Sequence, residues 1–99
     1  MRWLHQTWRA ANRLRASGID LRALTVWSLL GAFDWDNLLT QAGTGYKPGV
    51  FDVRGEPRPT ALYHMVKSLI RRGDYSHPVL ASPGWWQRDL RLLWPVAAA

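Results

Sequence analysis

The chain contains no cysteine. That excludes disulfides, thiolate nucleophiles and cysteine-based metal sites. Glutamate is almost missing as well, since Glu56 is the only one. Histidine is scarce: His5, His64 and His77 fall on separate elements and never in His-x-x-x-His spacing, so no metal site is expected. Ser28 does not sit in a Gly-x-Ser-x-Gly elbow, which argues against a nucleophilic serine. Gly43-x-Gly45 is too short for a phosphate loop, and no cofactor is expected. No stretch approaches the roughly 20 apolar residues of a membrane span. The opening Met1-Arg2-Trp3-Leu4-His5-Gln6 carries no apolar run of the secretory kind. The expectation is a cytoplasmic protein with no membrane partner.

What is present is apolar and aromatic. The 99 residues are 47% hydrophobic with seven tryptophans, far from a disordered composition. The net charge is +6. Arginine supplies most of the positive charge, but it is dispersed, and Arg71-Arg72 is the longest basic run. Dispersed charge reads as a solvated surface rather than a nucleic-acid footprint, which is normally clustered on one face.

Residues 2–17 read as an amphipathic helix, with Leu4, Trp8, Ala11 and Leu14 on one face. Arg13 and Arg15 favour its carboxyl end, and Gly18 stops it. Residues 21–30 are nearly continuously apolar after Arg22, the pattern of a strand buried on both faces. Residues 31–48 form a long, glycine-punctuated loop. A short strand at 49–53 and a turn at 54–59 follow. A second helix runs from about Pro59 to Arg72, with Leu62, Met65, Val66, Leu69 and Ile70 as its core stripe. Residues 74–99 read as an irregular, tryptophan-rich tail or linker broken by Pro78, Pro83 and Pro95, with a short helix at 85–93.

The run Val26 to Trp35 carries the chemistry. Its end brings Trp27, Asp34 and Trp35 close in sequence. Indole faces stack on the apolar faces of pyranoses, and a carboxylate accepts hydrogen bonds from sugar hydroxyls. On composition alone Trp27 serves equally well as core filler.

Four pieces of the chain, in order, resemble family 1 glycoside hydrolases, the β-glucosidase-like enzymes. They are Gly18-Ile19-Asp20-Leu21-Arg22, the run from Trp27 to Trp35, Gly49-Val50-Phe51-Asp52-Val53, and Arg58-Pro59-Thr60-Ala61-Leu62-Tyr63. The resemblance covers residues 3–72. It implies an α/β chain in which residues 1–73 are the C-terminal fragment of a (β/α)8 TIM barrel, with the order helix, strand, long loop, short strand, helix. A whole barrel needs about 250 residues, so the N-terminal barrel sequence is an implied missing partner. The resemblance also implies Trp27 as a sugar platform, Asp34 as an acceptor for sugar hydroxyls and Trp35 as a donor through its indole nitrogen. Two departures stand out: Asp34 is a methylene shorter than the family's glutamate, and Gly31-Ala32 replaces an Asp-Asn pair. The tail segments His77-Pro78-Val79-Leu80 and Pro83-Gly84-Trp85-Trp86 resemble the junction in bacterial proteins where such a barrel precedes a dTDP-4-dehydrorhamnose reductase-like domain.

Retaining glycosidases use two carboxylates about 5–5.5 Å apart. In the resembled family both are glutamates, in Asn-Glu-Pro and Glu-Asn-Gly contexts. Neither context is in this chain. Glu56, in Gly55-Glu56-Pro57, reads as a turn residue, and Asp34 with Asp36 reads as loop capping or substrate contact and solvation. The expectation is therefore a sugar-contacting part of a glycoside hydrolase-like protein, without catalytic residues and inactive alone. A non-catalytic carbohydrate-binding or interaction module is the first competitor, and a basic nucleic-acid-binding protein the second.

Overall fold

The computed structural model describes residues 1–35, 40–41, 43 and 45–89. Helix α1 spans Arg2–Ala16 and helix α2 spans Ala61–Arg72. Between them lie four two-residue strands: β1 (Ala32–Phe33), β2 (Tyr46–Lys47), β3 (Phe51–Asp52) and β4 (Arg58–Pro59). Two 3₁₀ turns follow α2, at Pro78–Ala81 and Trp85–Gln87.

Both helices form where the apolar periodicity places them. Gly18 stops α1 as expected: Ser17 is the cap, and Gly18 follows it in the left-handed region at φ 93°, its N–H bonding the Arg15 carbonyl at 3.0 Å. Gly73 ends α2 in the left-handed region at φ 74°, its N–H bonding the Leu69 carbonyl at 3.0 Å. Met65, Ser68 and Leu69 are the buried residues of α2. Ile70 departs from the expected stripe and is 77% exposed.

The expectation of a (β/α)8 barrel fragment is overturned. All ladders among the described residues are antiparallel and local: β1 pairs with β2, and β3 with β4. No parallel pairing, the defining contact of such a barrel, is formed among them. The fold is a small mixed α/β arrangement. Residues 21–30 form no helix and join no ladder. Their side chains are not buried on two faces either, since Trp27, Leu29 and Leu30 are all more than half exposed. The physical reason is a shortage of partners. A parallel neighbour requires a crossover from another strand, so the chain's extended segments pair instead with what is adjacent in sequence. Among the described residues, Val50, Met65 and Leu69 are the only buried apolar side chains.

The nominal loop 31–48 is tied at its base. Ala32 faces Lys47 and Phe33 faces Tyr46 in the β1–β2 ladder. The Tyr46 hydroxyl accepts from Val53 N–H at 3.0 Å and donates to the Leu30 carbonyl at 2.9 Å. The Ser28 and Leu29 carbonyls accept from Val50 and Phe51 N–H at 2.9 and 2.8 Å, laying β3 against residues 28–29. Gly49 permits this approach, because a Cβ there would run into the Ser28 carbonyl oxygen and the Gly31 nitrogen. Thr60 Oγ1 reaches the carbonyls of Gly49 and Val50, at 2.9 and 2.8 Å, which joins the start of α2 to the same knot.

The described part of the tail, up to residue 89, docks on α1. Arg2 Nε donates to the Val79 and Ser82 carbonyls, and Trp86 Nε1 donates to Gln6 Oε1 at 2.7 Å. Trp86 also meets Trp3 edge to face at 5.0 Å between centroids. The 3₁₀ turn at Trp85–Gln87 occupies the start of the expected 85–93 helix, whose last residues lie outside those described.

Asp52 is the one buried carboxylate of the β3–β4 ladder. The Arg54 guanidinium grips it through two bonds, at 3.1 and 2.7 Å, and Arg54 N–H adds a third. Those bonds, aided by the charges of Arg54 and Arg58 and opposed by partial desolvation, hold its carboxyl down at about 2. A carboxyl depressed in the fold stabilises fully above its unfolded value of about 3.9, and that contribution is lost as pH falls through the folded value. Thermal melting followed between pH 5 and pH 2 is expected to show a shallower acid slope for Asp52→Asn than for the parent chain. For Tyr46→Phe, which removes the acceptor of Val53 N–H, the expected outcome is at least about tenfold faster hydrogen exchange at that amide, with α2 amides unchanged.

Candidate functional site

The sequence places Trp27 at the end of an extended segment and Trp35 just beyond β1. The fold brings their rings together, with centroids 5.0 Å apart and planes tilted by 51°. Both remain open to solvent, Trp27 at 67% and Trp35 at 51% exposure. Among the described residues neither indole Nε1 donates to a protein acceptor. The peptide bond between Trp27 and Ser28 is cis.

Asp34 lies next to this pair, but its carboxylate serves the loop. Oδ2 accepts from Gly43 N–H at 2.8 Å and Oδ1 from Gly45 N–H at 3.2 Å. Its own N–H bonds the Gly45 carbonyl at 2.8 Å. The residue sits at φ 51°, in the left-handed region that aspartate tolerates better than most side chains. The shorter arm of aspartate thus turns inward to clamp residues 43–45. Asp36, the other acidic residue weighed for this loop, lies outside the described residues.

Two aromatic residues that sequence reasoning missed sit on the β1–β2 ladder that precedes and follows the loop. Phe33 is exposed and packs on Tyr46 with centroids 4.6 Å apart. Tyr46 in turn lies under the Arg54 guanidinium, 5.3 Å from its ring centroid. The signal was available: Phe33 precedes Asp34, and Tyr46 follows the second glycine of the loop that Asp34 clamps. What the sequence did not show was the ladder that sets them side by side.

No protein-family model, curated protein or solved structure matches the chain.

The other titratable groups offer little chemistry at this place. Glu56 is exposed in the turn between β3 and β4, as expected. His64 is exposed on α2 and His77 uses Nδ1 to accept from Val79 N–H at 3.1 Å. No cluster of three metal-ligating side chains occurs among the described residues. No helix among them is long and apolar enough to cross a membrane.

Asp34→Ala removes both carboxylate bonds to the loop and leaves a β-carbon at positive φ. The expected outcome is loss of protection at the Gly43 and Gly45 amides and a local cost of about 1–3 kcal/mol. Asp34→Asn, which keeps an acceptor and tolerates the left-handed region, is expected to retain part of that protection. Amide exchange measured at these two glycines distinguishes the variants.

Proposed function

We propose that the chain is a non-catalytic, carbohydrate-contacting part of a glycoside hydrolase-like protein, and that Trp27 and Trp35 form its sugar platform. The observation that carries this reading is the exposed indole pair, whose N–H groups meet no acceptor among the described residues. A solvent-facing aromatic pair supplies stacking area, and each N–H supplies a donor for a ring hydroxyl. The bonds from Asp34 to Gly43 and Gly45 N–H anchor the residue just before Trp35 and so help to fix the position of that indole. The resemblance of the run from Trp27 to Trp35 to family 1 glycosidases supports a sugar over other flat or apolar ligands. Asp34 enters this reading as a positioning residue whose carboxylate holds the loop.

Catalysis does not belong to the proposal. Glycosidic hydrolysis with retention requires a pair of carboxylates facing one another across the bond. Among the described residues, the carboxylate beside the tryptophans is Asp34, and both of its oxygens are engaged by backbone N–H groups. The proposed activity is binding without turnover.

Titration with cellobiose, followed by intrinsic tryptophan fluorescence, tests the reading. A saturable change is expected for the parent chain, and Trp35→Ala or Trp27→Ala is expected to weaken it by at least about tenfold, some 1.4 kcal/mol. Trp85→Ala, at an exposed tryptophan on a separate element, is expected to leave affinity unchanged. A fluorescence signal indifferent to cellobiose, or equally reduced by the Trp85 variant, would remove the basis for a sugar site here.

A further inference from the structure

A second concavity lies between α1 and the segment that follows α2. It has a volume of about 660 Å³ and is lined by Arg9, Arg13, His5, Trp8, Tyr75 and His77, among others. It adjoins a hollow of about 360 Å³ that shares His5, Arg9 and Arg13. The size falls within the range of small-molecule sites.

Among the described residues, the arginines of this groove have no ion-pair partner. α1 contains arginines and no acidic residue. Other arginines are engaged: Arg22 pairs with Asp20, Arg54 and Arg58 face Asp52, and Arg2 donates to tail carbonyls. Arg9 and Arg13 make no hydrogen bond and no ion pair among the described residues. They stand one helical turn apart, where like charges repel by a few tenths of a kcal/mol. His5 continues the same stripe one turn earlier. Across the groove, Asp74 is the one carboxylate on the lining. His77 adds a donor at Nε2, because its Nδ1 accepts from Val79 N–H.

The groove also has flat apolar walls. Tyr75 and His77 lie nearly parallel, with centroids 6.1 Å apart. Trp8 is held in place by Nε1 donating to the Gly73 carbonyl at 3.0 Å. Paired guanidiniums match phosphate oxygens, and aromatic walls match a planar ring.

We propose that this groove binds a small phosphorylated ligand of the nucleotide class, with its phosphates between Arg9 and Arg13 and its ring against Trp8 and Tyr75. The site is separate from the tryptophan pair and does not depend on the sugar reading. It goes beyond that reading by giving the chain a second ligand class.

Isothermal titration of the full chain with ADP and with inorganic pyrophosphate, in metal-free buffer, tests it. One ADP site is expected, with pyrophosphate binding more weakly because it lacks a ring. The double variant Arg9→Gln/Arg13→Gln is expected to lose at least about tenfold in affinity for both ligands. Both residues are exposed and glutamine is a good helix former, so circular dichroism is expected to be unchanged. Tyr75→Leu is expected to weaken ADP and spare pyrophosphate. The control Arg71→Gln/Arg72→Gln is expected to change neither. Failure of both ligands to bind, an equal loss in the control pair, or equal affinity for ADP and pyrophosphate would each overturn the proposal.

Discussion

The Tyr46 hydroxyl ties the middle of this chain together. It joins the end of the 21–30 segment at Leu30 to β3 and its sequel at Val53. Its ring supports Phe33 on one side and Arg54 lies over it. With so few apolar side chains buried, hydrophobic burial cannot hold these segments in register by area alone. Polar cross-links at close-approach points do that work: Tyr46 at one end of β3, Thr60 at the other and Arg54 on Asp52. Each depends on backbone coming near backbone, which is why glycine occupies position 49. The placement of Trp35 follows from the same knot, since β1 and the Asp34 clamp both depend on the β1–β2 ladder.

The helices and the short strand around Phe51–Asp52 were legible in the sequence, and the strand pairing was not. Leu4, Trp8 and Ala11 on α1, or Met65 and Leu69 on α2, announce a helix because periodicity is a local property. Glycine after a basic last turn ends α2 for equally local reasons. The run 21–30 was read as a doubly buried strand because its composition suits one. Composition records what a segment tolerates, whereas burial depends on a neighbour being there. Lacking one, Trp27, Leu29 and Leu30 face solvent and the backbone joins no ladder. Two-residue strands such as β2 and β4 carry no periodic signal at all, and Pro59 inside β4 would ordinarily argue against a strand.

The candidate sites divide in the same way. Trp27 and Trp35 were nominated from adjacency in one short run, and the fold does place their rings in contact. The inward turn of the Asp34 carboxylate was hidden, because it depends on where Gly43 and Gly45 return after the loop. The arginine groove was hidden more deeply. Arg9 and Arg13 looked like ordinary helix surface, and dispersed charge spoke against any basic site. Only the return of residues 73–81 to α1, anchored by Trp8 and Arg2, turns a solvated face into a wall.

The uncompensated α1 also sets how molecules of this protein meet one another. A helix with several guanidiniums and no carboxylate repels its own copies, while the bare indoles on the neighbouring elements attract theirs. Such a particle behaves like a weak surfactant, with a hydrated cationic portion and a greasy portion. Ionic strength acts on the first and mild detergent on the second, so colloidal behaviour has two independent controls. Raising salt to quiet one face would leave the other freer to adhere, which favours low-salt handling with a non-ionic amphiphile.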